Sequence, residues 1–488
     1  MYLFLETSNY ILAFCALAFA ALSLSGVFVK NGTAKSLISA FLAVLNIIIA
    51  TVAFGHMYLL KGKMIYLILF GVLFIALIML LFLTKAIYRE CDRLLLNNMS
   101  MLFTTGMIVI TRISTDRAIR QLAIFLIVLL ACMLIPLIIM KAEFIKKLTW
   151  VYAGVGITLI SSVLILGEVI NGSKITISVL GLRFQPSDAV KILFIFYMAC
   201  LLWKDINHIK VILSALTCAA FVLVLVMSKD LGTALIFVII YIFMIYMSTG
   251  NYIYLILGAV CCTGASVVAY NLFSHIRVRV SIWLDPWADI DNKGYQIAQS
   301  LFSINSGGLF GTGLFKGSPT SIPFCETDFI FSAISEELGL IFAISVILVC
   351  LSCFAEMMRL SFLVHDMFYR LVIYGIAVSM CFQTFLTIGG GVKIIPLTGV
   401  TLPLVSYGGT SLLVSMFMYF IVQGIYIMLR LQKGPALYRF HKKQGPQATK
   451  ESSKNINNKA NKEPLKNGIR KSEKEVSGKA KPGDRKTK

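Results

Sequence analysis

The chain has 488 residues, of which 58% are hydrophobic and 14% are charged, and its net charge is +21. A mean hydropathy of +0.86 excludes an ordinary soluble domain. Apolar stretches long enough to cross a bilayer core as a helix recur from residue 10 to residue 431. Every backbone amide in lipid needs a partner within its own segment, and no alternating barrel pattern occurs. The sequence therefore predicts an all-α, polytopic membrane helical bundle.

Thirteen membrane spans are predicted in chain order. The first is preceded by Glu6 and by no basic residue, which favours a retained span over a cleavable signal peptide. The first three spans are apolar and carry no buried charge, so residues 1–90 are interpreted as an accessory module ahead of a core at 91–432. The predicted spans are 10–29, 36–60, 64–84, 94–112, 118–140, 148–168, 188–203, 210–227, 231–249, 252–273, 329–354, 371–391 and 403–431.

The positive charge is concentrated at the C-terminus. Residues 430–488 contain eighteen Lys and Arg and five Asp and Glu, so they carry +13 of the net charge, and nucleic acid is not indicated as a partner. The segment 433–488 is predicted to be a disordered cytoplasmic tail, which either fixes orientation and touches anionic lipid or docks a specific partner. With this tail inside and an odd number of spans, the N-terminus is predicted to lie outside.

The eleven cysteines and five histidines do not form the pattern of a disulfide framework or a zinc site. Most cysteines lie in apolar spans, where a free cysteine behaves as a small hydrophobe. Cys350 and Cys353 share a helix face, but no second ligand pair accompanies them. The histidines lack a metal-binding spacing.

Three non-cytoplasmic segments interrupt the spans, at 169–187, 274–328 and 389–410, and functional residues are expected there. In the last of them, Ser406-Tyr407-Gly408-Gly409 would let backbone N–H groups approach a ligand, although a glycine-packed helix contact is an alternative. Asp328 lies where the second segment enters a helix. By position alone it is either a functional carboxylate or a helix N-cap.

Several motifs together resemble one known family. They are Asp285-Pro286 with Gly294-Tyr295-Gln296, Thr327-Asp328-Phe329-Ile330-Phe331 with Glu336-Glu337-Leu338-Gly339, and Pro-x-Thr-Gly-x-x-Leu-Pro-x-x-Ser-Tyr-Gly-Gly-x-Ser from Pro396 to Ser411. Gln185-Pro186-Ser187-Asp188 with Lys191, and Lys229-Asp230-Leu231-Gly232-Thr233-Ala234, look like two more. The chain resembles the SEDS family, which includes FtsW, RodA and SpoVE, over residues 94–431. The departures are Asp188 for Glu, Lys229 for Pro, Glu326 for His and Thr387 for Asn.

The resemblance implies a ten-helix core and a peptidoglycan glycosyltransferase that polymerises lipid II on the outer face of the cytoplasmic membrane, in cell division or cell-shape maintenance. The 4-hydroxyl of the acceptor sugar attacks the anomeric carbon of a lipid-diphosphate donor with inversion. Asp328 aligns with the family's catalytic aspartate and is the expected base. Other expected site residues are Lys191, Arg279 and Arg277 on the diphosphate, Asp188 and Asp230 orienting Lys191 or a divalent cation, and Ser406, Tyr407, Gly408 and Gly409 on the substrate.

Asp188 and Asp230 are alternatively a structural part of a buried ion pair. The cation would be Mg or Mn, with ligands unknown, and no organic cofactor is expected. The expected partner is a class B penicillin-binding protein, a transpeptidase. Two other functions remain open, a flippase or transporter of lipid-linked precursors and a catalytically silent scaffold for a transpeptidase. A retaining hydrolase would need a second matched carboxylate and an open path for water.

Overall fold

The computed structural model describes residues 2–141, 143–170, 173–179 and 182–444. Its helices are α1 Tyr2–Phe28, α2 Gly32–Lys61, α3 Ile65–Ile78, α4 Thr84–Ile87, α5 Arg93–Ile113, α6 Thr115–Cys132, α7 Ile135–Lys141, α8 Thr149–Leu166, α9 Pro186–Leu202, α10 His208–Met227, α11 Leu231–Thr249, α12 Ile253–Leu272, α13 Ser274–Leu284, α14 Tyr295–Gly307, α15 Ile330–Leu363, α16 Met367–Gly391 and α17 Gly409–Gln444. A π-helical segment, Met79–Leu83, joins α3 to α4. Three short antiparallel strands, β1 Glu168–Ile170, β2 Ser173–Val179 and β3 Leu182–Phe184, pair in the order β1-β2-β3.

The predicted all-α membrane bundle is confirmed. In the described residues, twelve helical segments are long and apolar enough to cross a membrane. The 17-residue α9 is a shorter thirteenth, largely buried among its neighbours. Each of the thirteen predicted spans corresponds to one of these segments, so the chain is a multi-pass membrane protein.

The last predicted span starts too early. The helix α17 begins at Gly409 rather than at residue 403, because Leu404 adopts a left-handed conformation with φ 65° that a right-handed helix cannot contain. Residues 433–444 continue α17 as helix, where the sequence predicted a disordered tail. The rest of that tail lies outside the described residues.

The helix α5 has its polar residues turned toward other helices rather than toward lipid. Asn98 accepts a hydrogen bond of 2.6 Å from Ser23 of α1 and donates one of 3.1 Å to Ser352 of α15. Asn97 donates to the Ser39 hydroxyl of α2 at 2.8 Å. Such bonds between helices satisfy polar groups that lipid cannot solvate. The span with the most polar composition is therefore the most deeply buried one.

The three N-terminal spans are packed on the core, and a charged residue just before the predicted span 36–60 takes part in that contact. The ammonium group of Lys35, on α2, lies 3.1 Å from the carboxylate of Asp92 and 2.8 Å from that of Glu356. Both carboxylate side chains are at most 1% exposed. Residues Met1–Leu431 form one compact unit, and Gln432–Lys488 form a second one. The division of the chain into an accessory module, 1–90, and a core, 91–432, stays a prediction.

The helix α15 is interrupted two turns after its start. Gly339 has φ 89° and breaks the helical backbone. The segment after α14 supplies the missing partners, since the Thr312 N–H donates to the Glu336 carbonyl at 2.9 Å and the Leu340 N–H donates to the Gly308 carbonyl at 3.0 Å. A side chain at position 339 would overlap the backbone of this segment, which explains the glycine. The loop between α14 and α15 and the first turns of α15 thus form one hydrogen-bonded body.

Candidate active site

Asp328 lies two residues before α15 and does not cap it. The N-cap position is Phe329, and no side chain accepts a hydrogen bond there. The Asp328 side chain is instead directed at the loop between α16 and α17, where a methyl group added to Gly399 would lie 3.8 Å from its Oδ2 atom. The N-cap alternative is therefore wrong, because no side chain caps α15.

The backbone beside Asp328 is held by the Ser-Tyr-Gly-Gly motif. The Ser406 hydroxyl donates to the Thr327 carbonyl at 2.6 Å, and the Tyr407 N–H donates to the Glu326 carbonyl at 2.8 Å. Gly408 follows in the same loop, and Gly409 is the first residue of α17. The motif thus grips the two residues that precede Asp328.

Gln121, on α6, fixes this motif in turn. Its side-chain amide donates to the Ser406 carbonyl at 3.4 Å and accepts from the Gly408 N–H at 3.3 Å. Two of the N–H groups expected to approach a ligand, those of Tyr407 and Gly408, are therefore committed within the protein. Both N–H groups therefore help to position the segment that contains Asp328.

Arg279 binds the same loop from the other side. Its Nη1 atom donates to the carbonyls of Leu397 at 3.1 Å and Thr398 at 3.3 Å. Burial lowers the pKa of this guanidinium, while the carboxylates of Asp328 and Asp230 oppose that change. Arg277, two residues earlier on α13, is exposed. A helix turns by about 200° over two residues, so the structure does not bring both arginines to one face.

The charge state of Asp328 follows from these surroundings. Burial raises the pKa of its carboxyl to about 6, and the nearby Glu326 carboxylate acts in the same direction. The Arg279 guanidinium and the Thr327 hydroxyl oppose the rise. Glu326 is itself ion-paired with Arg117 of α6. A carboxyl with such a pKa is mostly ionised at neutral pH and is more basic than an ordinary aspartate.

A second group of charges lies at the start of α9. Lys191 is 1% exposed and its ammonium lies 2.7 Å from the Asp188 carboxylate. The same ammonium donates to Gln383 of α16 at 2.9 Å, and Gln383 donates to the Thr401 carbonyl at 2.9 Å. Lys191 is thus buried and partnered, and its charge is linked to the loop between α16 and α17 through one glutamine.

Asp230 has a structural task at the start of α11. Its Oδ1 atom accepts the Thr233 N–H at 3.2 Å as an N-cap, and its Oδ2 atom accepts the Ser187 hydroxyl at 2.8 Å. Burial raises the pKa of this carboxyl against these hydrogen bonds. In this structure Asp230 joins α11 to α9 rather than pairing with Lys191.

Residues 397–401, called here the hub loop, connect the two groups. Arg279 and Asp328 meet its first half, and the link from Lys191 reaches Thr401. A side chain in place of Gly232, at the start of α11, would overlap Thr398 and Val400, so α11 packs directly against this loop. One stretch of five residues therefore fixes the relative positions of the charged side chains.

A protein-held divalent cation does not fit the donors that this neighbourhood offers. Asp188 is paired with Lys191, and both oxygens of Asp230 receive hydrogen bonds. Among the described residues, no group of three or more His, Cys, Asp or Glu is arranged to hold a metal ion. The expected cation stays a prediction.

Backbone strain is concentrated around this site. Six non-glycine residues have positive φ in the described part of the chain, and four of them lie in the loops that frame it: Phe315, Phe324, Lys393 and Leu404. Such conformations persist where their surroundings over-determine them, as happens at functional sites. Sequence patterns carry no direct signal for them.

Sequence reasoning missed Gln121 and Gln383. Both are buried amides on membrane-spanning helices, and polar residues at membrane depth are commonly functional. Their position in apolar spans was the available signal. Their partners lie 285 and 192 residues away, which spacing along the chain does not reveal.

A model of the cell cycle protein family of FtsW, RodA and SpoVE matches residues 92–430. The peptidoglycan glycosyltransferase RodA of Mycobacterium tuberculosis is 38% identical over 259 residues, which cover 50% of this chain and 55% of the relative. A probable peptidoglycan glycosyltransferase FtsW of a Geobacter species is 31% identical, over 51% of this chain and 70% of the relative. The chain spans about half the length of the RodA relatives it matches.

Solved structures show the same fold. A chain from a peptidoglycan synthase complex, in a study of how polymerisation and crosslinking are coordinated, has a TM-score of 0.61 and 25% identity, covering 69% of this chain and 97% of that one. RodA of Thermus thermophilus has a TM-score of 0.51 and 23% identity, covering 69% and 96%. The match from residue 92 to residue 430 includes Asp328, Arg279 and the hub loop. The chain belongs to the FtsW, RodA and SpoVE family of cell cycle proteins.

Proposed function

We propose that this protein is a peptidoglycan glycosyltransferase that polymerises lipid II into glycan strands at the outer face of the cytoplasmic membrane, in division or cell-shape maintenance. The observation that carries the proposal is Asp328, a carboxylate that caps no helix and is held beside Arg279 by the Ser406 motif. The relatives named as glycosyltransferases support the reaction class.

The reaction needs a base for the acceptor and positive charge for the leaving group. The acceptor 4-hydroxyl attacks the anomeric carbon, its proton passes to Asp328, and the bond from that carbon to the lipid diphosphate breaks with inversion. A pKa of about 6 keeps Asp328 ionised at neutral pH and basic enough to accept the proton. Arg279 has five N–H donors, and the two bonds to the hub loop both leave from Nη1, so further donors remain to stabilise the departing diphosphate.

Lys191 contributes at longer range in this mechanism. It is enclosed by Asp188 and Gln383, so a direct contact with the diphosphate requires its side chain to change partners. In this structure Lys191 acts on the hub loop through Gln383, which donates a hydrogen bond to the Thr401 carbonyl. The predicted diphosphate contact of Lys191 stays a proposal, as does that of the exposed Arg277.

The orientation is proposed with the N-terminus outside and the C-terminus inside. Thirteen membrane helices put the two ends of the chain on opposite sides, and the Lys-rich segment 430–488 favours the cytoplasmic side. The loop 274–328 and Asp328 then face outward. That is the side on which a glycan strand must grow.

A transpeptidase of the class B penicillin-binding type is the proposed partner. The structural relative from a synthase complex that coordinates polymerisation and crosslinking supports this pairing. Newly polymerised strands are the substrate of the crosslinking reaction, so proximity of the two enzymes has a chemical reason.

The test is in vitro polymerisation. The protein, purified with its candidate transpeptidase, is given lipid II and a divalent cation, and glycan strands are compared for the wild type, Asp328→Asn, Asp328→Ala and Asp116→Asn. Asp116 is an exposed carboxylate in the first turn of α6 and serves as the matched control. Loss of a general base is expected to slow polymerisation by roughly 100-fold to 10,000-fold.

The outcomes separate the candidate functions. Strands from the wild type and Asp116→Asn, and none from either Asp328 variant, would support the polymerase. Equal products from wild type and Asp328→Asn would remove Asp328 as the base. The absence of product from every sample would favour the transporter or scaffold, for which precursor transport and transpeptidase recruitment are the next measurements.

A further inference from the structure

Phe315 adopts a conformation that phenylalanine rarely takes. It lies in the extracytoplasmic loop between α14 and α15 with φ 65°, in the left-handed region. Its N–H donates to the Glu337 carboxylate at 3.1 Å. A non-glycine residue is held in this region only where surrounding contacts over-determine it, so the neighbours of Phe315 are informative.

The ring of Phe315 is enclosed by three side chains. The Lys61 ammonium lies 4.7 Å from the ring centroid, and the guanidinium carbon of Arg112 lies 4.9 Å from it. The ring of Tyr66 meets Phe315 edge-on at 5.9 Å. Cations over a ring face and T-shaped ring pairs are both attractive. Lys61 ends α2 and Tyr66 is in the first turn of α3, so two of the three contacts come from residues 1–90.

The same segment meets α1 at a second aromatic residue. The ring of Phe310 lies 4.7 Å from that of Tyr10 and 6.1 Å from that of Phe14. Nearby, the Asn9 amide lies 3.4 Å from the Gly311 carbonyl. The segment 310–315 is therefore seated on the N-terminal helices at both of its ends.

Hydrogen bonds join the segment 310–318 to α15, the helix that follows Asp328. Its backbone pairs with the first two turns of α15, with the Gly313 N–H donating to the Glu337 carbonyl at 3.0 Å. Just beyond it, the Ser318 N–H donates to the Glu336 carboxylate at 2.6 Å. Asp328 lies two residues before α15 begins. A shift of the 310–318 segment would thus be transmitted to α15 and to Asp328.

The N-terminal helices are also fixed at their far end, which makes them a firm support. Lys35, in the first turn of α2, is ion-paired with Asp92 and Glu356, whereas Lys61 closes the same 30-residue helix. The helix spans roughly 45 Å at 1.5 Å per residue. A simple membrane anchor needs neither this ion pair nor contacts with an extracytoplasmic loop.

We propose that the N-terminal module, residues 1–90, is a built-in positioning element that clasps Phe315 and Phe310 and thereby holds the Asp328 segment in its reactive place. This inference rests on the proposed polymerase function. It assigns positioning roles to Lys61 and Tyr66, which lie outside the part of the chain that matches the family model.

The test compares paired variants of the full-length protein. Tyr66→Leu removes the ring and Tyr66→Phe keeps it, while Lys61→Met removes the cation and Lys61→Arg keeps it. Phe41→Leu is the control, because Phe41 is on α2 but is 54% exposed. Polymerisation kinetics and hydrogen exchange of residues 308–330 are measured, together with the Tm of each variant.

The expected result is a fall in kcat of about threefold to tenfold for Tyr66→Leu and Lys61→Met, with KM unchanged within about twofold. Exchange in 308–330 should rise in the same two variants. Tyr66→Phe, Lys61→Arg and Phe41→Leu should match the wild type in both measurements.

The inference is overturned if Tyr66→Leu and Lys61→Met keep wild-type exchange in 308–330. It is also overturned if their kcat per folded enzyme is unchanged while only the Tm falls. If no variant and no wild type polymerises lipid II, the proposed function fails, and the exchange data still decide whether the module holds the loop.

Discussion

The activity should titrate with Asp328 on the acid side of neutral pH. With a pKa of about 6, this carboxyl is about nine-tenths ionised at pH 7, half ionised at pH 6 and about one-tenth ionised at pH 5. An aspartate with the ordinary value of 3.8 would still be more than about nine-tenths ionised at pH 5. Because only the ionised form accepts the proton and this pKa is that of the free enzyme, kcat/KM at pH 5 should be about a tenth of its value at pH 7.

The charged neighbours of Asp328 predict how this profile moves. Arg279 lowers the pKa of Asp328, so Arg279→Gln should move the acid limb to higher pH, while Arg279→Lys should leave it near the wild-type position. Glu326 raises that pKa, and its removal leaves the Arg117 cation unpaired, so Glu326→Gln should move the limb to lower pH. Each displacement is expected to be about one pH unit.

The assay is the rate of glycan strand formation at lipid II concentrations well below KM, from pH 4.5 to pH 8.5, which gives kcat/KM and so reports the ionisation of the free enzyme. Each variant's profile is scaled to its own maximum, so that a loss of affinity caused by the arginine change does not alter the position of the acid limb. A profile that stays flat down to pH 5 would refute the raised pKa. Displacements of Arg279→Gln and Glu326→Gln in the same direction would refute the electrostatic reasoning.

Three further outcomes follow from other contacts. Asp328→Asn should raise the Tm at pH 7 to 8, because folding raises the pKa of the carboxyl and the folded protein therefore disfavours its ionised form; the gain should shrink as the pH falls through about 6 and vanish only below about pH 3, where both states bind the proton. Lys35→Ala leaves two buried carboxylates with one fewer cation and should cost about 3 kcal/mol of stability in thermal unfolding, with Lys35→Arg largely restoring it. Gln383→Leu cuts the link from Lys191 to the hub loop and should slow polymerisation per folded enzyme about tenfold. The Tm should also fall, because the buried Lys191 ammonium and the Thr401 carbonyl each lose a hydrogen-bond partner; an unchanged rate per folded enzyme would contradict the link.

The spans were predictable because lipid imposes a strong rule. A helix of about 20 apolar residues is the cheapest way to satisfy backbone amides in a bilayer, and hydropathy reports such stretches directly. The predicted spans 188–203 and 94–112 correspond to the short α9 and the polar α5. The start of α17 was misplaced because a left-handed Leu404 and the turn around it depend on contacts with residues far away in sequence.

The role of the N-terminal helices could not be predicted from hydropathy. Lipid tails are as apolar as leucine, so an apolar face that meets another helix looks the same as one that meets lipid. Lys35 and Asn46 were the available signals, since each is a polar side chain on α2. Their partners, Asp92 and Ser100, identify them as docking contacts only once the helices are packed.

The motif residues were found, but the motif did not reveal which groups face the substrate. Ser406 and Tyr407 use their hydroxyl and N–H to hold the backbone before Asp328, whereas Asp328 makes no cap and is left for the reaction. Buried polar groups seek partners wherever geometry allows, so most members of a dense polar motif become internal supports. The side chain that such a motif surrounds but does not use for structure is the better candidate for chemistry. Here that side chain is Asp328, and its supports include loop contacts supplied by helices outside the family core.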